Sequence, residues 1–339
     1  ESRKLASRNK SPLSVLDCLT LDIQQKIAEL GKDGADQSFV FSDLTYPVPP
    51  HWQTILNLLH EAGAIVSPRV SFESLFHDEP KIYALRLWAA SVEGKTDGNT
   101  MMSSRGGYSR GVSCDFDEAI SKVIGEFLER YPLTIYRRQN FVRASMRSLA
   151  KAGKNFLNVQ NLAGFADWQK ERFPERKFND QSNFFWNNGI ELLSGQPALI
   201  PAQLVYWNYD IRQEPAEPFL REPNTNGSAG HFTRDEAILA AIYENIQRDA
   251  FLIHWLNSIS PPRIDITSVV DPTIQTISRD ISRYGFEIFF LNTSLDLAVP
   301  SCICVLVDMV GRGQKISVGG GCGPSLADAM VRSVTESLG

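Results

Sequence analysis

The chain has 339 residues, with 34 Lys and Arg against 39 Asp and Glu, a formal net charge of -5 and 43% hydrophobic residues. These are the values of an ordinary globular protein, and they exclude a disordered or fibrous chain. The mildly acidic balance argues against a general nucleic-acid or membrane-surface binder. The length allows one large domain or about two smaller ones.

The first part of the chain predicts two helices, two strands and a long loop. Apolar residues recur at helical spacing over 14–30 and 51–63, and both runs meet a glycine at their end. Residues 64–70 and 82–90 are predicted as strands. Residues 92–111 are rich in glycine and poor in apolar side chains, so a loop is expected there.

The middle of the chain contains a basic segment. One face of a predicted helix would hold its basic side chains, which are Arg143, Arg147, Lys151 and Lys154. That face is either an ordinary solvated surface or a docking patch for an acidic peptide. Residues 198–207 predict a strand, and residues 212–230 predict a loop.

The last third alternates between helix and strand. A helix is predicted over 274–284, strands over 287–291 and 301–309, and a glycine run then leads into a final helix. Together these elements predict an α+β (mixed α/β) fold.

The cysteines and the apolar runs bear on the compartment. No pair of the five cysteines has C-x-x-C spacing, and Cys302 and Cys304 alternate within an apolar run. They are therefore predicted to be buried, reduced thiols rather than metal ligands, which favours the cytoplasm. No secretory signal is expected, and no run is long enough to span a bilayer. His254 is expected to pack in the core, and Gly94-Lys95-Thr96 to be a chance match to the end of a phosphate-binding loop.

One pattern occurs three times. Each copy has a glycine-bearing turn and then a helix-capping residue, which is followed three positions later by an acidic residue. An alanine comes directly after the acidic residue, and a glutamate follows seven positions after the alanine. The three copies are Asp115/Glu118/Ala119/Glu126, Thr233/Glu236/Ala237/Glu244 and Ser325/Asp328/Ala329/Glu336. Each copy predicts the start of a helix. Seven residues are about two turns, so the alanine and the glutamate share one stripe of that helix.

The shared stripe suggests a common site. A carboxylate on the packed side of a helix is costly unless it is paired or binds a cation. Three glutamates at one spacing predict convergence on Mg²⁺ and a polyphosphate, with the glycine turns offering backbone N–H groups. The alternative is three similar helices with buried Glu–Arg pairs, for which Arg130, Arg248 and Arg332 are available.

Four segments in order resemble one known family, the YcaO proteins, over roughly residues 60–339. Glu126-Phe-Leu-Glu129-Arg130 is similar to the family's E-x-x-E-R helix. Asn226-Gly-Ser-Ala, followed by Glu236, Glu244 and Gln247-Arg248-Asp249, resembles its second motif. The other two are Trp186-Asn-Asn-Gly189 with Ile200-Pro201-Ala202, and the 319–323 glycine run with Ala329, Arg332 and Glu336.

The resemblance implies a YcaO-like fold that binds ATP without a Walker motif, through Mg²⁺ held by glutamates. The Mg²⁺ ligands that it implies are Glu126, Glu129, Glu236, Glu244, Gln247 and Glu336. The ATP contacts that it implies are Ser67, Asn226, Arg130, Arg248 and Arg332. No side chain is singled out as the catalytic residue.

The resemblance also implies an activity. The family phosphorylates a peptide-bond oxygen, which turns a poor leaving group into a good one. Its best-known members cyclodehydrate Cys, Ser or Thr of a ribosomal precursor peptide to azolines, and this is the expected reaction, with ATP and Mg²⁺ as cofactors. Thioamide formation with a sulfur-delivering partner and a degenerate, non-catalytic scaffold subunit are the alternatives.

Two departures from the family pattern bear on activity. Gln247 stands where a second glutamate is usual, and it brings no charge to a metal. The chain stops at Ser337-Leu338-Gly339 without the proline-rich tail of many azoline-forming members. Either the sequence is a fragment or this member is catalytically altered.

The expected organisation is a segment over 1–60 that contacts a partner, followed by a catalytic domain over 61–339. Expected partners are a precursor peptide and a separate protein that binds its leader. A homodimer is expected from the resemblance alone. Neither nucleic acid nor a membrane is expected as a partner.

Overall fold

The computed structural model describes residues 48–72, 83–89, 101–102, 108–162, 166–173, 176–207, 209–212, 215–311 and 316–338. Its strands are β1 (Ser71–Phe72), β2 (Tyr83–Trp88), β3 (Met101–Met102), β4 (Tyr108–Ser113), β5 (Ile135–Tyr136), β6 (Val142–Ser145), β7 (Asn183–Ile190), β8 (Pro197–Pro201), β9 (Arg263–Ile264), β10 (Phe286–Asn292), β11 (Ser301–Asp308) and β12 (Ile316–Cys322). Its α-helices are α1 (Pro50–Glu61), α2 (Phe116–Arg130), α3 (Met146–Lys151), α4 (Asp167–Arg172), α5 (Ala202–Val205), α6 (Arg234–Leu256), α7 (Pro272–Arg283) and α8 (Leu326–Ser337).

The described chain divides into two units. The first takes the residues up to Trp88, then Tyr108–Phe127, then Ala229 onward; the second takes Ala89–Gly107 and Leu128–Ser228. The division falls inside helix α2. Helices and antiparallel sheets occur in both units, so the predicted α+β class is confirmed.

The first unit contains two antiparallel sheets, ordered β1-β2-β4 and β12-β11-β10-β9. Helices α7 and α8 cover one face of the larger sheet. Asp271 caps α7, where Pro272 takes the first turn, and Ile274, Ile277 and Ile281 then recur at helical spacing into the core. In the same unit, helix α1 is joined to helix α2 by a hydrogen bond of 2.8 Å from Trp52 Nε1 to Asp117 Oδ1.

Of the described cysteines, Cys302, Cys304 and Cys322 are buried free thiols as predicted, whereas Cys114 is exposed. Cys302 and Cys304 are buried, free thiols on the face of β11 that packs against α7 and α8. Burial raises the pKa of Cys302 to about 11 and that of Cys304 to about 12.

The second unit is built on the antiparallel sheet β6-β7-β8, whose core includes Phe184, Trp186 and Leu199. On the other face of β7, Arg138 lies 3.5 Å from the Glu217 carboxylate, and both side chains are at most 10% exposed. Phe185 N also donates to Glu217, at 3.1 Å. Burial nevertheless raises the pKa of Glu217, against the lowering effect of these partners.

Several predicted elements are confirmed. They are the helix over 51–63, the strands over 82–90, 287–291 and 301–309, the helix over 274–284, and the final helix. In the described part of 212–230 there is neither helix nor strand, as predicted. The helix over 14–30 and the Gly94-Lys95-Thr96 match lie outside the described residues. His254, expected in the core, is half-buried, and its Nδ1 lies 2.8 Å from Ala250 O.

Other predictions are wrong, and each failure has a local cause. Residues 64–70 make a single bridge instead of a strand, because Pro68 has no N–H for a ladder. The basic helix face does not form, since Ser145 caps a short α3 and leaves Arg143 in β6. The strand predicted over 198–207 ends at Pro201, where α5 begins.

No helix in the described part of the chain is long and apolar enough to cross a membrane.

Candidate functional site

All three predicted helix starts are present. Asp115, Thr233 and Ser325 each accept a hydrogen bond from the backbone N–H three residues on, at 2.8, 3.3 and 3.1 Å. These bonds satisfy N–H groups that the first turn of a helix leaves without partners. The local pattern therefore predicts α2, α6 and α8 correctly.

The glycine ahead of α2, Gly111, lies in a strand, so the predicted glycine turn is wrong there, whereas Gly230 ahead of α6 and Gly323 ahead of α8 lie outside helices and strands. Gly111 is in β4 and the glycines at 319, 320 and 321 are in β12. A Cβ on Gly111 would lie 2.1 Å from Ala119 O, and one on Gly321 would lie 2.0 Å from Ala329 O. Glycine is needed there because the helix backbone rests directly on the strand.

The two strand–helix pairs are copies of one another. Adding 210 to Gly111, Ala119 and Glu126 gives Gly321, Ala329 and Glu336. In both copies the buried alanine faces the strand, at 0% exposure. The small-residue stripe is therefore the contact that brings each helix onto its strand.

The glutamates of these stripes reach the backbone of an edge strand. β4 and β12 each lie at the edge of a sheet, where outward N–H groups have no ladder partner. Gly320 N donates to Glu336 Oε2 at 3.2 Å, and Arg110 N donates to Glu126 Oε2. A carboxylate has about four lone-pair positions, so such a bond leaves capacity for a cation.

Gln247 meets Glu336 at one glycine. Neighbouring strand residues point to opposite faces, and Gly320 faces away from α8 towards α6. A Cβ on Gly320 would lie 2.3 Å from Gln247 Nε2, so the Gln247 amide fills the space that a side chain would take. Gly320 thus contacts Gln247 through its open face and Glu336 through its N–H. We call this arrangement the Gly320 junction.

On α6 itself, Glu244 Oε1 lies 3.6 Å from Arg248 Nη2. A Glu–Arg pair is therefore present on this helix, but it is not buried as the alternative predicted. With side chains 28% and 43% exposed, the pair is only half-buried, and a pair of this kind contributes at most about 1 kcal/mol. Arg332 is exposed on α8, and the Arg130 guanidinium lies 5.6 Å from the centre of the Trp207 ring.

Glu236 is exposed at the start of α6. Its Oε2 accepts from the Thr233 hydroxyl at 2.6 Å and lies 2.8 Å from His231 Nδ1. The Thr233 hydrogen bond, with help from His231, lowers the pKa of Glu236. The structure thus gives Glu236 a capping contact, and its role as a metal ligand stays a prediction.

In the second unit, the structure brings together two further predicted segments. Glu129 Oε1 accepts from Ser228 Oγ at 2.6 Å, and Ser228 follows Asn226 in the Asn-Gly-Ser-Ala motif. Sequence reasoning missed this contact because the two residues are 99 positions apart. Ser67 is half-buried just before Pro68.

The donor chemistry fits Mg²⁺. Mg²⁺ takes oxygen ligands and is usually held by one or two carboxylates, with waters and substrate phosphates completing its shell. Glu336 offers a carboxylate at Gly320, and Gln247, whose Nε2 lies nearest to that glycine, carries an amide oxygen on the same group. Within the described ranges, no group of three or more His, Cys, Asp or Glu side chains is placed to hold a metal, so any ion there depends on oxygens from elsewhere.

The family comparison is consistent with this chemistry. The model of the family described as YcaO cyclodehydratase, ATP- and Mg²⁺-binding, matches residues 110–339. A curated relative from Rhizobium leguminosarum bv. trifolii, an uncharacterised protein in the tfuA 3′ region, is 30% identical over 161 residues, which are 45% of this chain and 37% of the relative.

Solved structures share the fold. A heterocyclase in complex with substrate and cofactor matches with a TM-score of 0.66 and 20% identity, over 84% of this chain and 39% of that chain. The YcaO protein from Methanopyrus kandleri, bound with AMPPCP and Mg²⁺, matches with a TM-score of 0.57 and 17% identity, over 85% and 66% of the two chains. The chain thus spans less than two thirds of the length of each of these proteins.

Proposed function

The chain belongs to the YcaO family of ATP- and Mg²⁺-binding cyclodehydratases, and from this we propose that it modifies the backbone of a ribosomal precursor peptide. The proposed reaction is phosphorylation of a backbone amide oxygen, followed by cyclodehydration of Cys, Ser or Thr to an azoline.

The Gly320 junction is the observation on which this proposal depends most. Two oxygen-bearing side chains from α6 and α8 contact one glycine of an edge strand, Gln247 within 2.3 Å of its Cβ position and Glu336 at 3.2 Å from its N–H. In the first strand–helix pair, Glu126 likewise accepts a hydrogen bond from the backbone of an edge strand, at Arg110 N of β4.

The proposed roles follow from the chemistry of each group. Bound ATP with Mg²⁺ supplies the phosphoryl group that makes the amide oxygen a leaving group. Glu126, Glu336 and Gln247 offer oxygen ligands to the metal, and edge-strand N–H groups orient the two carboxylates. The remaining proposed metal ligands are Glu129, Glu236 and Glu244, and the proposed nucleotide contacts are Ser67, Asn226, Arg130, Arg248 and Arg332.

The proposed partners are the precursor peptide and a separate protein that binds its leader. A homodimer is also proposed. The free thiols of Cys302, Cys304 and Cys322 support a reducing compartment, and the cytoplasm is the proposed location.

Gln247 favours one alternative, a non-catalytic scaffold. An uncharged amide at the Gly320 junction gives a metal less electrostatic stabilisation than a glutamate would. A scaffold would leave Mg–ATP unbound, whereas the enzyme binds it. The mass of the product then separates two reactions, because cyclodehydration removes water and thioamide formation replaces oxygen by sulfur.

Calorimetric titration with Mg–ATP tests the proposal. Wild-type protein should bind, and Glu126→Gln and Glu336→Gln should each weaken binding about 10-fold or more, since each removes a charged ligand. Glu287→Gln, at an exposed position on β10, is the matched control and should bind like wild type. Failure of the wild type to bind Mg–ATP would refute the enzymatic proposal and leave the scaffold.

A further inference from the structure

Residues 225–228 form a tight turn with a fixed backbone. Ser228 N donates to Thr225 O at 2.9 Å, and Gly227 has a φ of 82°, as the third position of a type II turn requires. Asn226 takes the second position, where its N–H donates to Asn224 Oδ1 at 3.1 Å. The turn is thus closed by a backbone hydrogen bond that a substitution of the Ser228 side chain leaves in place.

The Ser228 hydroxyl lies between two acceptors. Its Oγ is 2.6 Å from Glu129 Oε1 and 2.7 Å from Thr225 O. A hydroxyl has a single hydrogen, so it donates to one of the two oxygens at a time. The bond to the carboxylate is the stronger because it is charge-assisted. The Thr225 carbonyl gives the hydroxyl a second partner whenever Glu129 Oε1 is engaged otherwise.

We propose that Ser228 is a positioning residue, which orients the Glu129 carboxylate for the metal and links it to the turn that contains Asn226. The inference rests on the proposed function, in which Glu129 is a Mg²⁺ ligand and Asn226 contacts the nucleotide. Through one hydroxyl, a ligand on helix α2 and a contact on a distant loop share a fixed geometry. Partners that orient a metal ligand typically affect metal affinity by about 10- to 100-fold.

Two substitutions separate positioning from packing. Ser228→Ala removes the hydroxyl and keeps the backbone turn, while Ser228→Thr keeps the hydroxyl. The matched control is Ser194→Ala. Ser194 also donates to a carboxylate at 2.6 Å, that of Glu191, but in an exposed hairpin turn outside the proposed site.

The experiment is calorimetric titration of the full chain with ATP at limiting and at saturating Mg²⁺, together with thermal unfolding without ligand. At limiting Mg²⁺, Ser228→Ala should weaken ATP binding about 10-fold, and saturating Mg²⁺ should restore much of the loss. Ser228→Thr and Ser194→Ala should bind like wild type, and Glu129→Gln should bind more weakly. All variants should unfold near the wild-type temperature.

The outcomes distinguish this inference from the function that it assumes. Wild-type affinity in Ser228→Ala beside weakened Glu129→Gln would overturn the role of Ser228 and leave the proposed function intact. A loss in Ser228→Ala that Mg²⁺ does not restore, with a lowered unfolding temperature, would show a structural role and also overturn the inference. If wild-type protein binds no Mg–ATP, the inference and the proposed function both fall.

Discussion

Adding a methyl group to neighbouring glycines of β12 should have opposite consequences. At Gly321 a new Cβ would lie 2.0 Å from Ala329 O, a backbone atom of α8. At Gly320 it would lie 2.3 Å from Gln247 Nε2, the end of a flexible side chain. Gly321→Ala should therefore destabilise the fold, whereas Gly320→Ala should displace Gln247 and weaken Mg–ATP binding.

The magnitude follows from these distances. Ordinary van der Waals contact begins at 3.4 Å, so α8 must retreat by about 1.4 Å to admit the Gly321→Ala methyl group. Ala329, Met330 and Val334 anchor α8 in the core, so the retreat disturbs packing along the helix. Overpacking of this kind costs about 3 kcal/mol, and at roughly 2–4 °C per kcal/mol this lowers the Tm by about 6–12 °C. Gly320→Ala requires only that the Gln247 side chain change its rotamer, which costs about 1 kcal/mol.

Thermal unfolding followed by circular dichroism, with Mg–ATP calorimetry on the same samples, measures both effects. The expected pattern is a lowered Tm for Gly321→Ala, and a Tm near wild type with weakened binding for Gly320→Ala. Equal loss of stability in the two variants would refute the assignment of the two strand faces. Unchanged binding in Gly320→Ala would refute a role for the Gly320 junction in the site.

Three further predictions concern other parts of the fold. Gly111→Ala should lower the Tm as Gly321→Ala does, because a Cβ there would lie 2.1 Å from Ala119 O; a wild-type melting curve would contradict the duplicated packing. Glu217→Gln should lower the free energy of unfolding in guanidinium by about 3 kcal/mol, since it removes the carboxylate charge that faces the buried Arg138 guanidinium; an unchanged midpoint would show that the ion pair is dispensable. Stability should fall as pH rises from about 9 towards 11, because unfolded thiols lose protons near 9 whereas Cys302 holds its proton to about 11. Denaturant midpoints that do not change over this range, or that do so equally in Cys302→Ala, would contradict that cause.

Much of the fold was predictable because its signals are local. The caps Asp115, Thr233 and Ser325 mark helix starts within four residues of sequence. The apolar spacing of α7 and the alternation of β11 likewise follow from nearby side chains. Such features need no knowledge of the partner element.

The strand position of Gly111 was not predictable, for the opposite reason. Glycine in an isolated sequence favours a turn, but Gly111 and Gly321 are required by the backbone of a helix that packs on them. The helix in each case comes later in the chain, and the residues next to the glycine do not indicate that the helix backbone will contact it. The failed basic face over 143–154 has a different and local cause, because Ser145 caps α3 and leaves Arg143 outside the helix.

Sequence spacing selects the candidate site residues, but their contacts with one another depend on tertiary structure. The spacing from Ala119 to Glu126 and from Ala329 to Glu336 correctly indicated that each glutamate lies on the side of its helix that carries the buried alanine, but Glu336 itself is exposed. The meeting of Gln247 with Glu336 at Gly320 depends on α6 and α8 lying on opposite faces of one sheet. The Ser228–Glu129 bond likewise depends on tertiary structure alone.

The most direct test of the proposed site is a crystal structure with a non-hydrolysable ATP analogue and Mn²⁺, located by its anomalous signal. We expect a Mn²⁺ peak within metal–oxygen bonding distance of the Glu336 carboxylate, with analogue phosphate oxygens in its shell. Bound analogue whose metal contacts neither Glu336 nor Glu126 would contradict the assignment of these two glutamates as ligands.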